Sequence, residues 1–185
     1  MIDNHQGEEE RTAFSFKRTK CDCKDCTINC KHLPGYLLPE DLGRIARSLG
    51  YTNLGQFAFD YLLASPGAIV MKEGHVFQIP TLVPRRKEDG SCKFLDENNC
   101  CTIHAVSPYG CAFFDTHQSD EEANLRSSRG LQEIALHWAI GAGLSAYVLL
   151  WRLLYTAGFR AISAQLARAK MREEMESGMS GSQTR

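Results

Sequence analysis

Apolar residues recur at helical spacing in two short segments in the first third of the chain. Residues 39–49 begin with a proline and two acidic residues, carry apolar side chains every three or four positions and end before a glycine, as helices commonly do. Residues 53–65 begin at Asn53, a favoured N-terminal cap, repeat the apolar spacing and end at Pro66-Gly67. The pattern predicts two consecutive helices that pack on each other.

The helical period is lost after Gly67. Short runs rich in β-branched and aromatic residues flank Glu73-Gly74, which predicts a β-hairpin. Residues 91–117 follow neither period and are rich in cysteine, asparagine and aromatic residues. We therefore expect something other than periodic packing to hold this segment in place.

The C-terminal third returns to a strong helical pattern. Ser119 and Glu122 have the spacing of a capping box, and apolar side chains continue at helical spacing until Gly158. A last amphipathic helix is predicted over residues 159–175. The uncharged stretch 138–151 is shorter than the roughly 20 residues that a bilayer crossing needs, so we expect no membrane span.

Composition and charge narrow the class of protein. The 185 residues are 43% hydrophobic and carry a formal net charge of -1, which fits one globular domain with a core. A net charge so close to zero argues against binding of nucleic acid through a broad, positively charged surface. The polar, acidic start resembles no secretory signal, so we expect a cytoplasmic, reducing location.

Cysteines are the chain's most unusual feature. Eight are present, in two groups about 60 residues apart. In a reducing compartment, clustered cysteines are more often metal ligands or catalysts than disulfides. The first group has the spacing C-x-C-x2-C-x3-C and the second C-x7-C-C-x9-C, and the members are Cys21, Cys23, Cys26, Cys30, Cys92, Cys100, Cys101 and Cys111.

This spacing predicts one metal site that joins the two groups and orders the irregular segment between the helices. Two thiolates separated by two residues can reach one ion from a tight turn, and bound thiolates lose their protons. Disulfides and inert buried thiols are the alternatives. Adjacent cysteines rarely both reach one centre, so we expect one of Cys100 and Cys101 to be a bystander. His117, and less strongly His104, could complete the coordination sphere or donate to it.

The expected ligands are Cys23, Cys26, Cys30, Cys92, Cys101 and Cys111, with Cys21 and His117 as further candidates. Four thiolates suit tetrahedral zinc and iron–sulfur centres equally. The number of cysteines exceeds one structural zinc site and fits either one [4Fe–4S] cluster with spare thiols or two centres, and we favour iron–sulfur over Zn.

The predicted fold is mainly α, of the small α+β kind: an irregular, metal-stapled cysteine-cluster domain with a minor β-hairpin and C-terminal amphipathic helices. We expect a disordered arm over residues 1–16, the metal-binding domain over 17–118, helices packed on it over 119–176 and a disordered tail over 177–185. The C-terminal helices would form a core wall, or contact a protein partner or a second copy if their apolar faces are too wide to be covered.

The string SCKFLDENNCCTIHAVSPYGCAFF resembles the second half of the CxxCxxCC, or YkgJ-like, cysteine-cluster family. Members usually carry Cys before Phe-Leu, then Cys-x-Ile-Tyr, then Arg-Pro-x-x-Cys. The matching cysteines here are Cys92, Cys101 and Cys111, and the family's N-terminal cysteines match Cys23, Cys26 and Cys30. The resemblance covers roughly residues 19–117 and implies chelation of zinc or iron.

The chain departs from the family pattern at several positions. Ser107 replaces the usual Arg, Ala112 replaces a common Arg, and Asp115 stands where Pro is frequent. Cys21 and Cys100 are additions to the pattern, so the resemblance implies that Cys101 is a ligand and Cys100 the bystander. These departures leave the metal-binding implication intact and say little about any particular activity.

Three functions fit these observations. The first is an accessory, electron-transfer or metal-handling factor, which needs only the metal and a partner surface. The second is an iron–sulfur enzyme that modifies a protein side chain, by similarity to the family's flagellin lysine methylase branch. The third is a structural zinc module for protein interaction. The sequence carries no nucleotide-binding loop, nucleophile elbow or HExxH motif, and whether the protein is an enzyme stays open.

Overall fold

The computed structural model describes residues 11–19, 24–72, 74–139, 145–162, 166, 169–170 and 172–173. Helices dominate, and two small two-stranded antiparallel sheets accompany them, so the predicted mainly α fold with minor β structure is confirmed. The elements in chain order are β1 (Thr12–Ala13), β2 (Phe16–Lys17), α1 (Lys24–His32), α2 (Pro39–Ser48), α3 (Leu54–Tyr61), β3 (Leu62–Lys72), β4 (His75–Pro84), α4 (Tyr109–Ala112), α5 (Asp120–Ala139) and α6 (Ala146–Thr156).

Local sequence signals explain where three of the helices begin. Pro39 occupies the first turn of α2, beside two acidic residues. The side chain of Asn53 accepts a hydrogen bond from the backbone N–H of Gln56 at the start of α3. Ser119 does the same for Glu122 at the start of α5, at 3.2 Å. These caps satisfy N–H groups that have no partner within the helix.

Helix α3 is shorter than the sequence pattern predicts. It ends at Tyr61, and Leu62–Lys72 form β3, which pairs with β4 from Leu62↔Pro84 to Lys72↔His75. Pro66 and Gly67, expected to end the helix, lie instead where the strand register shifts between Ser65 and Ala68. Gly67 has a φ of 100°, and a Cβ there would lie 1.6 Å from the carbonyl oxygen of Ile79. Strand pairing across the hairpin therefore overrides the helical spacing of residues 62–65.

The last predicted helix also begins later than expected. Gly158 has a positive φ of 86° and ends the α6 region, as predicted. The next residues are extended: the backbone N–H of Ala64 donates to the carbonyl of Phe159 at 2.9 Å, and Ala161 donates back to Ala64 at 2.9 Å. This segment is thus tied to β3, and helical backbone is described only from residue 166 onward.

The N-terminal region contains an unexpected hairpin. The sequence pattern assigns residues 11–16 to a disordered arm, whereas the structure places them in β1 and β2. The Arg11 guanidinium bonds the Asp41 carboxylate at 2.8 Å and the Ser107 carbonyl at 2.6 Å. These long-range contacts, which no local pattern reveals, fix the hairpin on the domain. Residues 1–10 and 177–185 lie outside the described residues.

The core is formed where the helices cover the base of the β3–β4 hairpin. Helix α6 packs against β3, α3 and α2, and α5 packs against β4 and α6. The largest fully buried side chains are Tyr109, Tyr147, Phe57, Phe113, Leu37, Leu38, Leu42, Ile45, Leu62, Leu82, Ile134 and Leu154. The described parts of α5 and α6 therefore contribute to the core wall.

The outer faces of the same helices leave several leucines in solvent. Leu136 on α5 is 52% exposed, and Leu149 and Leu153 on α6 are 49% and 45% exposed. Contact with a protein partner or a second copy through this region stays a prediction. In the part of the chain that the structure describes, no helix is both long and apolar enough for a transmembrane crossing.

Candidate metal centre

Four thiols from separate parts of the chain lie close to one another. In each of the six pairings, the charge of one thiol raises the pKa of the other, as expected for neighbouring groups of like charge. We call them the four-thiol set, and its members are Cys30 on α1, Cys92 and Cys101 in the irregular segment, and Cys111 on α4. The two cysteine groups that the sequence separates by about 60 residues thus meet in the fold.

Backbone hydrogen bonds tie the first three members together. The N–H of Cys92 donates to the carbonyl of Cys30 at 2.8 Å, so the irregular segment is joined directly to α1. Isolated antiparallel bridges pair Arg86 with Cys92 and Leu95 with Cys101. These bridges give the segment an order that its sequence pattern does not predict, and they bring Cys101 back toward Cys92.

Two glycines allow the backbone that carries Cys111, the fourth member of the set, to lie close to the backbone of residues 35–36. The N–H of Gly35 donates to Sγ of Cys111 at 3.3 Å, and the N–H of Gly110 donates to the carbonyl of Tyr36 at 2.9 Å. A Cβ on Gly35 would lie 2.1 Å from the carbonyl carbon of Gly110, far inside van der Waals contact. The absence of a side chain at both positions lets the backbone come near enough to present an N–H to the sulfur.

A buried carboxylate fixes the start of α4, which carries Cys111. Asp41 is fully buried, and its Oδ2 accepts hydrogen bonds from the backbone N–H of Tyr109 at 2.7 Å and of Leu38 at 2.8 Å. Its Oδ1 accepts from the guanidinium groups of Arg11 and Arg44. Sequence reasoning missed this role, because an acidic residue in the first turn of α2 is fully explained by the helix dipole.

Burial raises the pKa of every thiol in the four-thiol set. For Cys30 the pKa rises to about 11, and for Cys92 to about 12, chiefly through desolvation and further through the neighbouring thiols. Desolvation also raises the pKa of Cys101, and it raises the pKa of Cys111 well above its usual value. The thiols therefore keep their protons at neutral pH until a cation offsets the charge of the thiolates.

The other expected ligands lie at the edge of this set or outside the described residues. Sγ of Cys26, one helical turn before Cys30 on α1, lies 3.4 Å from Oγ1 of Thr116. Helix α1 supplies the spacing between Cys26 and Cys30, whereas the tight turn expected between Cys23 and Cys26 includes a residue outside the described ranges. The backbone N–H of His117, an exposed residue, donates to Asp115 at 2.9 Å. Cys21 and Cys23 lie outside the described residues.

The adjacent residues Cys100 and Cys101 have different surroundings. Cys101 is half-buried and belongs to the four-thiol set, whereas Cys100 is exposed and its sulfur lies 3.9 Å from the carbonyl of Asn98. His104, three residues beyond Cys101, is an exposed member of a short 3-10 helix. The expected distinction between Cys100 and Cys101 is in keeping with these positions.

The described thiols are all free: Cys26, Cys30, Cys92, Cys100, Cys101 and Cys111. Among the residues that the structure describes, no group of three or more Cys, His, Asp or Glu side chains has the geometry of a metal site as it stands. The four thiols are neighbours but do not yet form a coordination sphere.

The donor set nevertheless has the chemistry of a thiolate metal site. Four sulfur donors are the ligands that tetrahedral zinc and iron–sulfur clusters take. The N–H of Gly35 already serves one of the sulfurs, as outer hydrogen bonds do in such sites.

Comparisons with known proteins agree with this chemistry. No curated protein and no solved structure matches the chain. The family model CxxCxxCC, described as a "putative zinc- or iron-chelating domain", matches residues 22–129. That range covers more than half of the 185 residues and includes the whole four-thiol set. The chain therefore belongs to the CxxCxxCC family.

Proposed function

We propose that this protein binds a metal centre through the four-thiol set and acts as an accessory, electron-transfer or metal-handling factor. The observation that carries the proposal is the mutual proximity of the four thiols, which come from α1, the irregular segment and α4. Cys26 stands at the edge of the set, beside Thr116, as an additional donor.

The position of the four thiols supports a stabilising role for the metal as well. Cys92 and Cys101 lie in a segment held by isolated bridges, and Cys30 and Cys111 lie on short helices. A shared ion or cluster would cross-link these elements and restrict the unfolded chain. Because the ligands are brought together only in the folded chain, we expect metal binding to stabilise the fold around the site.

The donor set accepts two kinds of centre. Zinc would supply a redox-inactive structural cross-link, and an iron–sulfur cluster would supply a site for one-electron transfer. We propose the iron–sulfur cluster, because further cysteines lie beside the four-thiol set in the sequence. Free, protonated thiols of this kind persist in a reducing compartment such as the cytoplasm.

The test is metal analysis of the full-length protein purified under anaerobic conditions. The proposal predicts iron and acid-labile sulfide together with visible absorbance that bleaches with dithionite. Bound zinc without colour would favour the structural zinc module and reject the electron-transfer role. Protein that contains neither metal, and binds neither when supplied, would reject the proposed function.

A further inference from the structure

Two arginine side chains approach the four-thiol set from different parts of the chain. Arg18 follows β2, and Arg86 follows β4. The Arg18 guanidinium bonds the carbonyl of His104, three residues beyond Cys101, and Arg86 pairs with Cys92 in an antiparallel bridge. Each arginine therefore stands beside a different member of the set.

Hydrogen bonds fix Arg18 between the segments that carry Cys101 and Cys111. Its Nη2 donates to the carbonyl of His104. The next residue, Thr19, donates its backbone N–H to the carbonyl of Ala112 at 2.8 Å. The side chain of Arg18 is thus bonded near Cys101, and the backbone of the next residue is bonded beside Cys111.

One nitrogen of Arg18 has no hydrogen-bond acceptor among the residues that the structure describes. Within the described ranges, Nε of Arg18 is buried and makes no hydrogen bond. A buried guanidinium N–H without a partner is costly. A thiolate or a sulfide of a bound cluster would be a negatively charged acceptor, which a positively charged donor prefers.

Arg86 is held by a separate set of contacts. Its Nη1 donates to the carbonyl of Gly90 at 2.9 Å, and its Nη2 donates to the carbonyl of His32 at the end of α1. Its backbone forms the antiparallel bridge with Cys92. Arg86 therefore links α1, which carries Cys30, to the loop that carries Cys92.

The negative charge of a metal-bound site would be offset by the positive charge of these arginines. Four thiolates around a divalent ion carry two net negative charges, and a [4Fe–4S] core in its ordinary oxidised form gives the same total. Moving such a charge into a partly buried site is costly unless positive groups offset it. We propose that Arg18 and Arg86 are positioning residues that offset the negative charge of a metal–thiolate centre on the four-thiol set. This inference rests on the proposed function.

The test uses Zn²⁺ as the probe on the reduced, full-length protein, with affinity measured by competition against a chromogenic chelator. Arg18→Gln and Arg86→Gln should each weaken Zn²⁺ binding roughly tenfold or more, the usual size of effects outside the ligand shell. Arg18→Lys restores the charge and should recover most of the affinity. The matched control is Arg129→Gln, because Arg129 is exposed on α5, and it should bind like the wild type.

The outcomes separate this inference from the proposed function. If the wild type binds Zn²⁺ and both glutamine variants bind it equally well, the inference is overturned and the proposed function stands. If Arg18→Lys is as weak as Arg18→Gln, a purely structural role of the guanidinium hydrogen bonds replaces the role of charge. If the wild type itself binds no Zn²⁺, the proposed function fails, and this inference fails with it. Circular dichroism of each metal-free variant identifies loss of fold, and Arg86→Gln gives a second reading that does not depend on the contacts of Arg18.

Discussion

The buried carboxylate of Asp41 accepts the backbone N–H of Tyr109 at 2.7 Å, across 68 residues of chain. The same carboxylate bonds two arginines, so its charge is paired inside the protein. Asp41→Asn removes that charge and leaves the two guanidinium groups without their partner. We expect the free energy of unfolding to fall by about 3 kcal/mol or more in urea titrations.

The neighbouring residue provides the control for Asp41. Glu40 also lies in the first turn of α2 but is exposed. Glu40→Gln should change the free energy of unfolding by no more than about 0.5 kcal/mol. Similar effects of the two substitutions would show that Asp41 acts only on the helix dipole, as the sequence alone suggests.

A second prediction concerns the hydroxyl of Tyr147. It accepts the backbone N–H of Leu82 at 2.8 Å and donates to the carbonyl of Leu37 at 2.8 Å, in a fully buried position. Tyr147→Phe leaves both backbone groups unsatisfied and should cost about 1–3 kcal/mol of unfolding free energy. Tyr155→Phe, on the same helix but only partly buried, should cost much less. Equal costs would contradict the bridging role of the Tyr147 hydroxyl.

The third prediction tests the close approach of Gly35 and Gly110. In Gly35→Ala, the added Cβ would meet the Gly110 backbone at 2.1 Å, so the backbone must move away and the N–H to Cys111 must lengthen. We expect a loss of about 1–3 kcal/mol in stability and weaker Zn²⁺ binding.

Gly43→Ala is the control. The added Cβ meets only the end of the Arg47 side chain, at 3.2 Å, and alanine favours the helix by up to about 1 kcal/mol. Unchanged Zn²⁺ affinity in Gly35→Ala would separate the glycine contact from the metal site.

The fourth prediction contrasts the two adjacent cysteines. Cys101→Ser removes a member of the four-thiol set and should weaken Zn²⁺ binding by more than about 100-fold, beyond the range of effects outside the ligand shell. Cys100→Ser should leave binding nearly unchanged, because its thiol is exposed and faces Asn98. Chelator competition on both variants, side by side, gives the comparison. Equal losses would refute the assignment of Cys100 as a bystander.

Local signals in the sequence predict much of the fold. The proline and acidic residues in the first turn of α2, the Asn53 cap of α3 and the Ser119 cap of α5 all act as their residue types predict. The hairpin around Gly74 forms as expected. These features depend on contacts within a few residues, so a pattern read along the chain contains the information that they need.

Features that depend on distant partners are the ones that the pattern misses. Residues 62–65 have helical spacing, yet they form a strand because residues 81–84 pair with them. The residues around Cys26 and Cys30 are mostly polar, with no apolar stripe to indicate α1. The burial of Asp41 depends on Arg11, and the hairpin that carries Arg11 has too few residues to show a period.

The candidate site was predictable in its residue types but not in its surroundings. Cysteine spacing and family resemblance predict six cysteine ligands that include the four-thiol set, because metal ligands are recognisable by type; the assignment of individual ligands stays a prediction. The arginine side chains that contact the backbone carbonyl of Ser107 were not predictable from the sequence. This position usually carries Arg in the family, and here the guanidinium groups of Arg11 and Arg44 reach its carbonyl from elsewhere in the chain.

X-ray absorption at the metal edge of the anaerobically purified protein tests the central claim most directly. A centre on the four-thiol set predicts a first shell made of sulfur, at about 2.3 Å from the metal, whether zinc or iron is present. The same measurement on Cys101→Ser should show fewer sulfur neighbours or no bound metal. A first shell of nitrogen and oxygen in the wild type would contradict the claim that Cys30, Cys92, Cys101 and Cys111 bind the metal together.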